Sequence, residues 1–217
     1  MNFNYISEKI SYLISPPYCE SCKDFLNQRE IFCKNCFDKI RPIVSVKLQV
    51  TQKYSMQIFA ISGYDEPIKS LILAKMGSNI LASKRLGQLI WDMTNLSNVK
   101  FDYLIPVPLH WTRLIKRGYN QTEVMANEIS KKSNMPVKNL LSRIRYTKYQ
   151  SSLTLGGRVE NVRNVFKLNK DLNLYEGKDL LIVDDLLTSG STLISAAKEL
   201  IKLNPASINA VVACRVT

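Results

Sequence analysis

One segment constrains this chain more than any other: Leu180-Leu181-Ile182-Val183-Asp184-Asp185-Leu186-Leu187-Thr188-Ser189-Gly190-Ser191-Thr192. Its four leading apolar residues predict a buried strand. Two adjacent carboxylates follow, expected to stand exposed at the strand's carboxyl end. A short loop of hydroxyls with one glycine then opens into a helix predicted over Leu193–Leu203. Backbone N–H groups at a helix start attract a phosphate, and Gly190 lets the backbone approach it closely. Thr188, Ser189, Ser191 and Thr192 add hydroxyl donors. Asp184 and Asp185 suit two neighbouring sugar hydroxyls, or Mg²⁺ held through water. The pattern Gly-x-x-x-x-Gly-Lys-Ser/Thr is absent, which excludes a Walker loop. Helix capping alone accounts for one Asp or one Ser, but not for twin acids in tandem with four hydroxyls.

The rest of the chain supplies a sheet for this segment. Alternation over Val44–Val50 and the apolar run Ile58–Ile61 predict strands, as do Tyr103–Pro108 and Ile208–Val216. Helical spacing predicts helices at 67–76 and 81–96 (stripe Leu86, Leu89, Ile90, Met93), and at 120–132 (Val124, Met125, Ile129 inward). Phe3, Ile6, Ile10, Leu13 and Ile14 predict a further short helix that Pro16-Pro17 ends. Buried strands alternating with helices give an α/β fold, a mostly parallel sheet flanked by helices, with ligands at the carboxyl ends of strands.

Ahead of that domain lie Cys19-x-x-Cys22 and Cys33-x-x-Cys36. Each pair forms a knuckle that points two sulfurs at one ion, and two knuckles complete a tetrahedral site of the kind zinc fills structurally. Residues 15–40 hold too little apolar material for a core, so a metal would supply folding energy. Disulfides, free thiols and a redox pair are the alternatives. No run approaches ~18 apolar residues and no secretory leader pattern opens the chain, so a soluble cytoplasmic protein is expected, where disulfides are disfavoured. A redox pair would open a helix after a strand, whereas Pro16-Pro17 precede this one. The boundaries expected are 1–42 for the N-terminal helix and four-cysteine zinc-binding module and 43–217 for the α/β domain. Cys214, among Val211, Val212, Ala213 and Val216, reads as a buried strand residue.

The chain carries a formal charge of +12, unevenly spread: residues 101–167 hold +8 and residues 168–217 hold −1. Local concentration of this kind suits a polyanionic partner, nucleic acid or a phosphorylated substrate, and a solvated basic surface is the competing reading. Cations here are interleaved with Trp111, Tyr119, Tyr146 and Tyr149, as a sequence-tolerant single-strand groove requires.

The 180–192 segment resembles the phosphoribosyl-pyrophosphate (PRPP) motif of type I phosphoribosyltransferases, and the whole chain resembles the ComF family of competence proteins (ComFC). The residues that carry this are the paired Cys-x-x-Cys, Pro106-Val107-Pro108-Leu109-His110-Trp111, Arg117-Gly118-Tyr119-Asn120-Gln121, Arg143-x-Arg145-x-Thr147-x-x-Gln150, Arg158 with 161–166, and the Asp184–Thr192 loop. The resemblance implies that Asp184 and Asp185 bind the ribose hydroxyls and that Thr188, Ser189, Gly190, Ser191 and Thr192 cradle the 5′-phosphate. Mg²⁺ would accompany PRPP. It implies a pyrophosphate loop at Lys75-Met76-Gly77, which lacks the family's aromatic. The Pro106–Gln121 stretch would form a further wall, with Arg113, Lys116 and Arg117 near the phosphates, unless Trp111 packs as core and its basic neighbours are merely solvated. His110 is expected to be a turn residue or a substrate contact. Thr188 stands where purine-salvage relatives carry an Asp, so the loop is of the orotate type. Residues 150–158 look like a loop able to close over PRPP.

The family implication is natural transformation: handling of incoming single-stranded DNA in the cytoplasm, beside other DNA-uptake proteins at the inner membrane. Arg113, Lys116, Arg117, Arg143, Arg145 and Lys148 are the nucleic-acid candidates. An active phosphoribosyltransferase of nucleotide salvage is the second reading, and a zinc-ribbon interaction module on a degenerate scaffold the third.

Overall fold

The computed structural model describes residues 17–28, 30–76, 79–144, 165–169 and 173–216. The helix expected within 3–14 lies outside them, as do Gly77, Arg145, Tyr146, Lys148, Tyr149 and the 150–158 loop. In chain order the strands are β1 (Ile43–Gln49), β2 (Ser55–Gly63), β3 (Tyr103–Pro106), β4 (Leu141–Arg143), β5 (Phe166–Leu168), β6 (Asp179–Leu187) and β7 (Ser207–Arg215). The helices are α1 (Lys34–Phe37), α2 (Ile68–Met76), α3 (Ile80–Met93), α4 (Trp111–Arg117), α5 (Gln121–Ser133) and α6 (Ser191–Leu200).

Five strands form one sheet in the order β1-β2-β7-β6-β3. All neighbours run parallel except the edge pair β1–β2. The carboxyl ends of β2, β7, β6 and β3 therefore share one rim, where ligands of such sheets bind. Alternation along β6 and β7 feeds two cores. Leu181, Val183, Val211 and Ala213 face α2, α3 and α5, while Leu180, Ile182, Ala210 and Val212 face α6. Gly87 makes the first core tight: a Cβ there would lie 2.7 Å from the Met125 carbonyl oxygen, so α3 and α5 approach backbone to backbone.

The fold expected from sequence is present, with three corrections. Helix α4 was not anticipated. None of its residues is buried, and Trp111 is 63% exposed, so it is not core. His110 caps α4, accepting from the Thr112 N–H, and Gly118 ends it at φ +78°. Val124 is only half-buried, because Met125, Ala126 and Ile129 face the core instead. The last predicted helix begins earlier, at Ser191, and becomes a 3-10 turn after Leu200. A separate two-stranded antiparallel sheet, β4–β5, packs on the α6 side through Leu141, Val165 and Phe166. No described helix is long and apolar enough to cross a membrane.

The cysteine segment docks on the first core. Cys19, Leu26, Phe32, Cys36 and Ile40 are buried in the same cluster as Ile68, Leu71 and Leu86. An Arg85–Glu20 ion pair and a Ser21 Oγ–Glu66 Oε2 hydrogen bond of 3.4 Å pin it to α3 and to the start of α2.

Candidate active site and metal centre

Strand β6 continues through both acids, and this changes their expected environment. Strand alternation sends the two side chains to opposite faces of the sheet. Asp185 meets α2 and α5: its Oδ2 pairs with the Lys75 ammonium and accepts from Gln121 Nε2 at 3.3 Å. Asp184 lies on the other face, in the field of Arg143 from β4, and its Oδ1 accepts from the Asp185 N–H at 2.9 Å. The expectation of two exposed carboxylates is thus corrected. Asp184 is 7% exposed and the Asp185 side chain 19%.

The two acids differ in protonation. Burial, reinforced by the charge of Asp185, pushes the Asp184 carboxyl up to about 8. Burial acts on Asp185 too, but the Lys75 charge and its hydrogen bonds outweigh it and hold that carboxyl below its usual range. The rim therefore sets the Asp185 carboxylate, paired with Lys75, beside an Asp184 carboxyl whose protonated form burial favours. Lys75, only 3% exposed, closes the rim from the end of α2.

Two further features complete the rim. After β6 the chain turns through Thr188, Ser189 and Gly190 into α6. Gly190 has φ +73°, and a Cβ there would lie 2.4 Å from Leu48 Cδ1 of β1, so conformation and space both require glycine. Ser189 and Ser191 hydroxyls are 2.8 Å apart, at the start of α6, where helix amides are suited to an anion. On the far side, Val107 O accepts from Thr122 Oγ1 at 2.6 Å and from Asn120 Nδ2 at 3.2 Å, which ties the start of α5 to the end of β3. That tie sets Gln121 beside Asp185.

The basic candidates divide. Arg117 contributes to the lowering of Asp185, and Arg143, stacked 5.6 Å from the Phe166 ring, acts on Asp184. Burial and the nearby Arg113 charge depress Arg143 itself. Arg117 and Arg143 thus act on the acid pair and Arg113 lies near Arg143, while Lys116 stays exposed on α4 with Trp111, Leu114 and Ile115. Sequence reasoning placed Gln121 within a motif but gave it no role. It is 5% exposed, and its Oε1 is buried without a hydrogen-bond partner among the described residues, at a cost of about 1–3 kcal/mol if left so. A glutamine directly after a helix cap that closes on a strand end was the available signal.

The four cysteine sulfurs lie within 4.8 Å of one another, and Cys22 Sγ and Cys33 Sγ are 3.6 Å apart. A tetrahedral zinc thiolate with ~2.3 Å bonds spaces its sulfurs ~3.8 Å apart, so the set fits such an ion without rearrangement of the fold. Burial opposes ionisation of Cys19, but hydrogen bonds from the backbone N–H groups of Cys33, Cys22 and Ser21 outweigh it and lower its thiol to about 6. Burial pushes Cys36 the other way. A soft, all-sulfur donor set favours zinc over hard cations. Cys214 is fully buried in β7, as expected, with its thiol pushed up to about 12 by burial.

A family model described as a phosphoribosyl transferase domain matches residues 77–217, which hold the hydroxyl loop, the acid pair and Gln121. The chain belongs to the phosphoribosyl transferase domain family. Among curated relatives, Competence protein F of Haemophilus influenzae is 30% identical over 195 residues, covering 86% of this chain and 80% of that one. DNA utilization protein YhgH of Escherichia coli (strain K12) is 30% identical over 115 residues, 52% of this chain and 49% of the relative. Competence protein ComFC of Bacillus subtilis (strain 168) is 29% identical over 104 residues, covering 48% and 40% of the two chains. The first match reaches beyond the transferase domain, since 195 aligned residues exceed the length of 77–217. Lys75 stands just ahead of the family match yet contacts its central carboxylate.

Proposed function

We propose that this protein binds PRPP at the β6–α6 rim and handles single-stranded DNA during natural transformation. The observation that carries the reading is the Asp184-Asp185 pair, buried at the carboxyl end of a parallel strand and flanked by Lys75 and a glycine-hydroxyl loop. A sugar phosphate suits each part: its hydroxyls the acids, and its anion the amides and hydroxyls of Thr188–Thr192. Pyrophosphate would draw on Lys75, Arg113 and Arg117, and Mg²⁺, the ion that usually accompanies PRPP, would offset the charge gathered there. The competence and DNA-utilization names of the relatives support the biological half of the reading.

In this reading Cys19, Cys22, Cys33 and Cys36 hold a structural zinc that lets residues 17–42 fold and dock, and residues 43–217 form the PRPP-binding domain. DNA runs along Lys116 and the arginines Arg113, Arg117 and Arg143, with Arg145 and Lys148 as further contacts expected from sequence and the exposed Trp111 ring offering a stacking surface. The protein works in the cytoplasm, where it meets other uptake proteins at the inner membrane.

Calorimetric titration of PRPP with Mg²⁺ into wild type and into Asp184→Asn/Asp185→Asn tests the first half. Binding by the wild type and its loss in the double variant are expected, and equal binding by both would refute the site. Gel-shift titration of a single-stranded oligonucleotide tests the second half, with affinity expected to fall steeply with salt. A screen for pyrophosphate release with candidate acceptors separates binding from transfer, because fold alone does not settle catalysis.

A further inference from the structure

Both nitrogen donors at Asp185, from Lys75 and Gln121, converge on the same oxygen, Oδ2. The amide orientation of Gln121 follows from this: turned over, its Oε1 would face the carboxylate oxygen and repel it. With Nε2 committed, Oε1 remains a buried acceptor without a hydrogen-bond partner among the described residues, although an ammonium and several hydroxyls belong to the same rim. Gln121 is the first residue of α5, whose start the Asn120 and Thr122 bonds to Val107 O hold in place. Buried polar atoms in native proteins are almost always satisfied, and an exception at a rim of this kind points to a partner that arrives with the ligand.

We propose that Gln121 is a substrate-positioning residue: its amide nitrogen orients Asp185, and its Oε1 accepts a hydrogen bond from a ribose hydroxyl of the bound sugar phosphate. The inference rests on the PRPP reading of the rim and extends it to specificity. A deoxy sugar would leave Oε1 stranded, and sites built to hydrogen-bond a hydroxyl reject analogues that lack it. The rim therefore reads the sugar as ribose, through Gln121 together with the acid pair.

Calorimetry with ribose 5-phosphate and its 2-deoxy and 3-deoxy analogues tests this on wild type, Gln121→Met and Gln121→Asn. Met keeps the length and apolar bulk, and Asn keeps the amide but withdraws it by one methylene, so one serves if the other folds poorly. Wild type is expected to favour ribose 5-phosphate over at least one deoxy analogue by about tenfold or more. Either variant should bind ribose 5-phosphate about 3- to 10-fold more weakly, with the preference over that analogue reduced by a similar factor. Affinity for inorganic phosphate should stay at the wild-type level, which a general collapse of the rim would not allow. Variants that keep both the affinity and the preference would overturn the inference while leaving the PRPP reading intact. A wild type that binds neither PRPP nor ribose 5-phosphate would overturn the reading of the rim, and the inference with it.

Discussion

The protein gathers like groups in two places, four thiols near its N-terminus and two carboxylates at the end of β6, and it does so by opposite means. The thiols lie within a stretch of 18 residues, brought within 4.8 Å by two short knuckles and one helical turn. Backbone N–H groups of the same stretch tune them. The carboxylates are adjacent in sequence, but the side chains that distinguish them come from afar: Lys75 from α2, Gln121 from α5, Arg143 from β4. A local cluster is a self-contained unit suited to one cation. A distributed one depends on the register of the entire sheet, and in return each acid acquires its own character.

That contrast breaks most visibly through the metal. Cys33→Ser should abolish zinc binding and lower the melting temperature by ~10 °C or more, since structural zinc contributes on the order of 10 kcal/mol to a small unit. Metal analysis and a thermal melt check it, and an unchanged melt would mean that the thiols hold no structural ion. Asp185→Asn should rank next. It strands the buried Lys75 ammonium and is expected to cost about 3–5 kcal/mol, read by urea denaturation, along with loss of PRPP binding.

Asp184→Asn should do the reverse to stability. The folded carboxyl titrates near 8 against ~3.9 unfolded, so Asp184's contribution is full below pH ~4 and is lost as pH rises towards 8. The Asn variant should match wild type near pH 4 and exceed it by pH 8 in melts across that range. The same shift sharpens ligand binding. Ribose hydroxyls need the ionised acid, so PRPP affinity should rise up to ~10-fold per pH unit towards 8 and then level off. A flat profile would deny Asp184 that role.

Smaller effects test the loop and the basic face. Gly190→Ala meets both an unfavourable φ and Leu48, and should destabilise by about 1–2 kcal/mol in the same denaturation assay while weakening PRPP binding. Lys116→Gln removes one exposed cation and should reduce the slope of log K against log salt for single-stranded DNA by ~0.7, with stability unchanged. A slope that stays put would take Lys116 out of the DNA track.

Much of the fold was legible because its signals are local. The strand before Asp184, the glycine-hydroxyl turn and the helix stripe at Leu86, Leu89 and Ile90 each declare themselves within a few residues. Helix α4 hid because its apolar residues, Trp111, Leu114 and Ile115, face solvent and so break the rule that links apolar period to burial. Periodicity also stopped β6 at Val183, since acids rarely continue a buried strand. They continue this one because Lys75 offsets the charge of Asp185 and burial favours the protonated form of Asp184.

The amino-acid order by itself determined the two knuckles, the parallel-sheet architecture and the glycine-hydroxyl turn, because backbone geometry and side-chain type over a few residues dictate those. Only the tertiary structure decided which acid would be ionised, that Lys75 and Gln121 would share one oxygen, and that Arg117 and Arg143 would act on the acid pair. Coulomb energies and desolvation depend on distances between residues up to 110 positions apart, and those distances exist only once the sheet has closed.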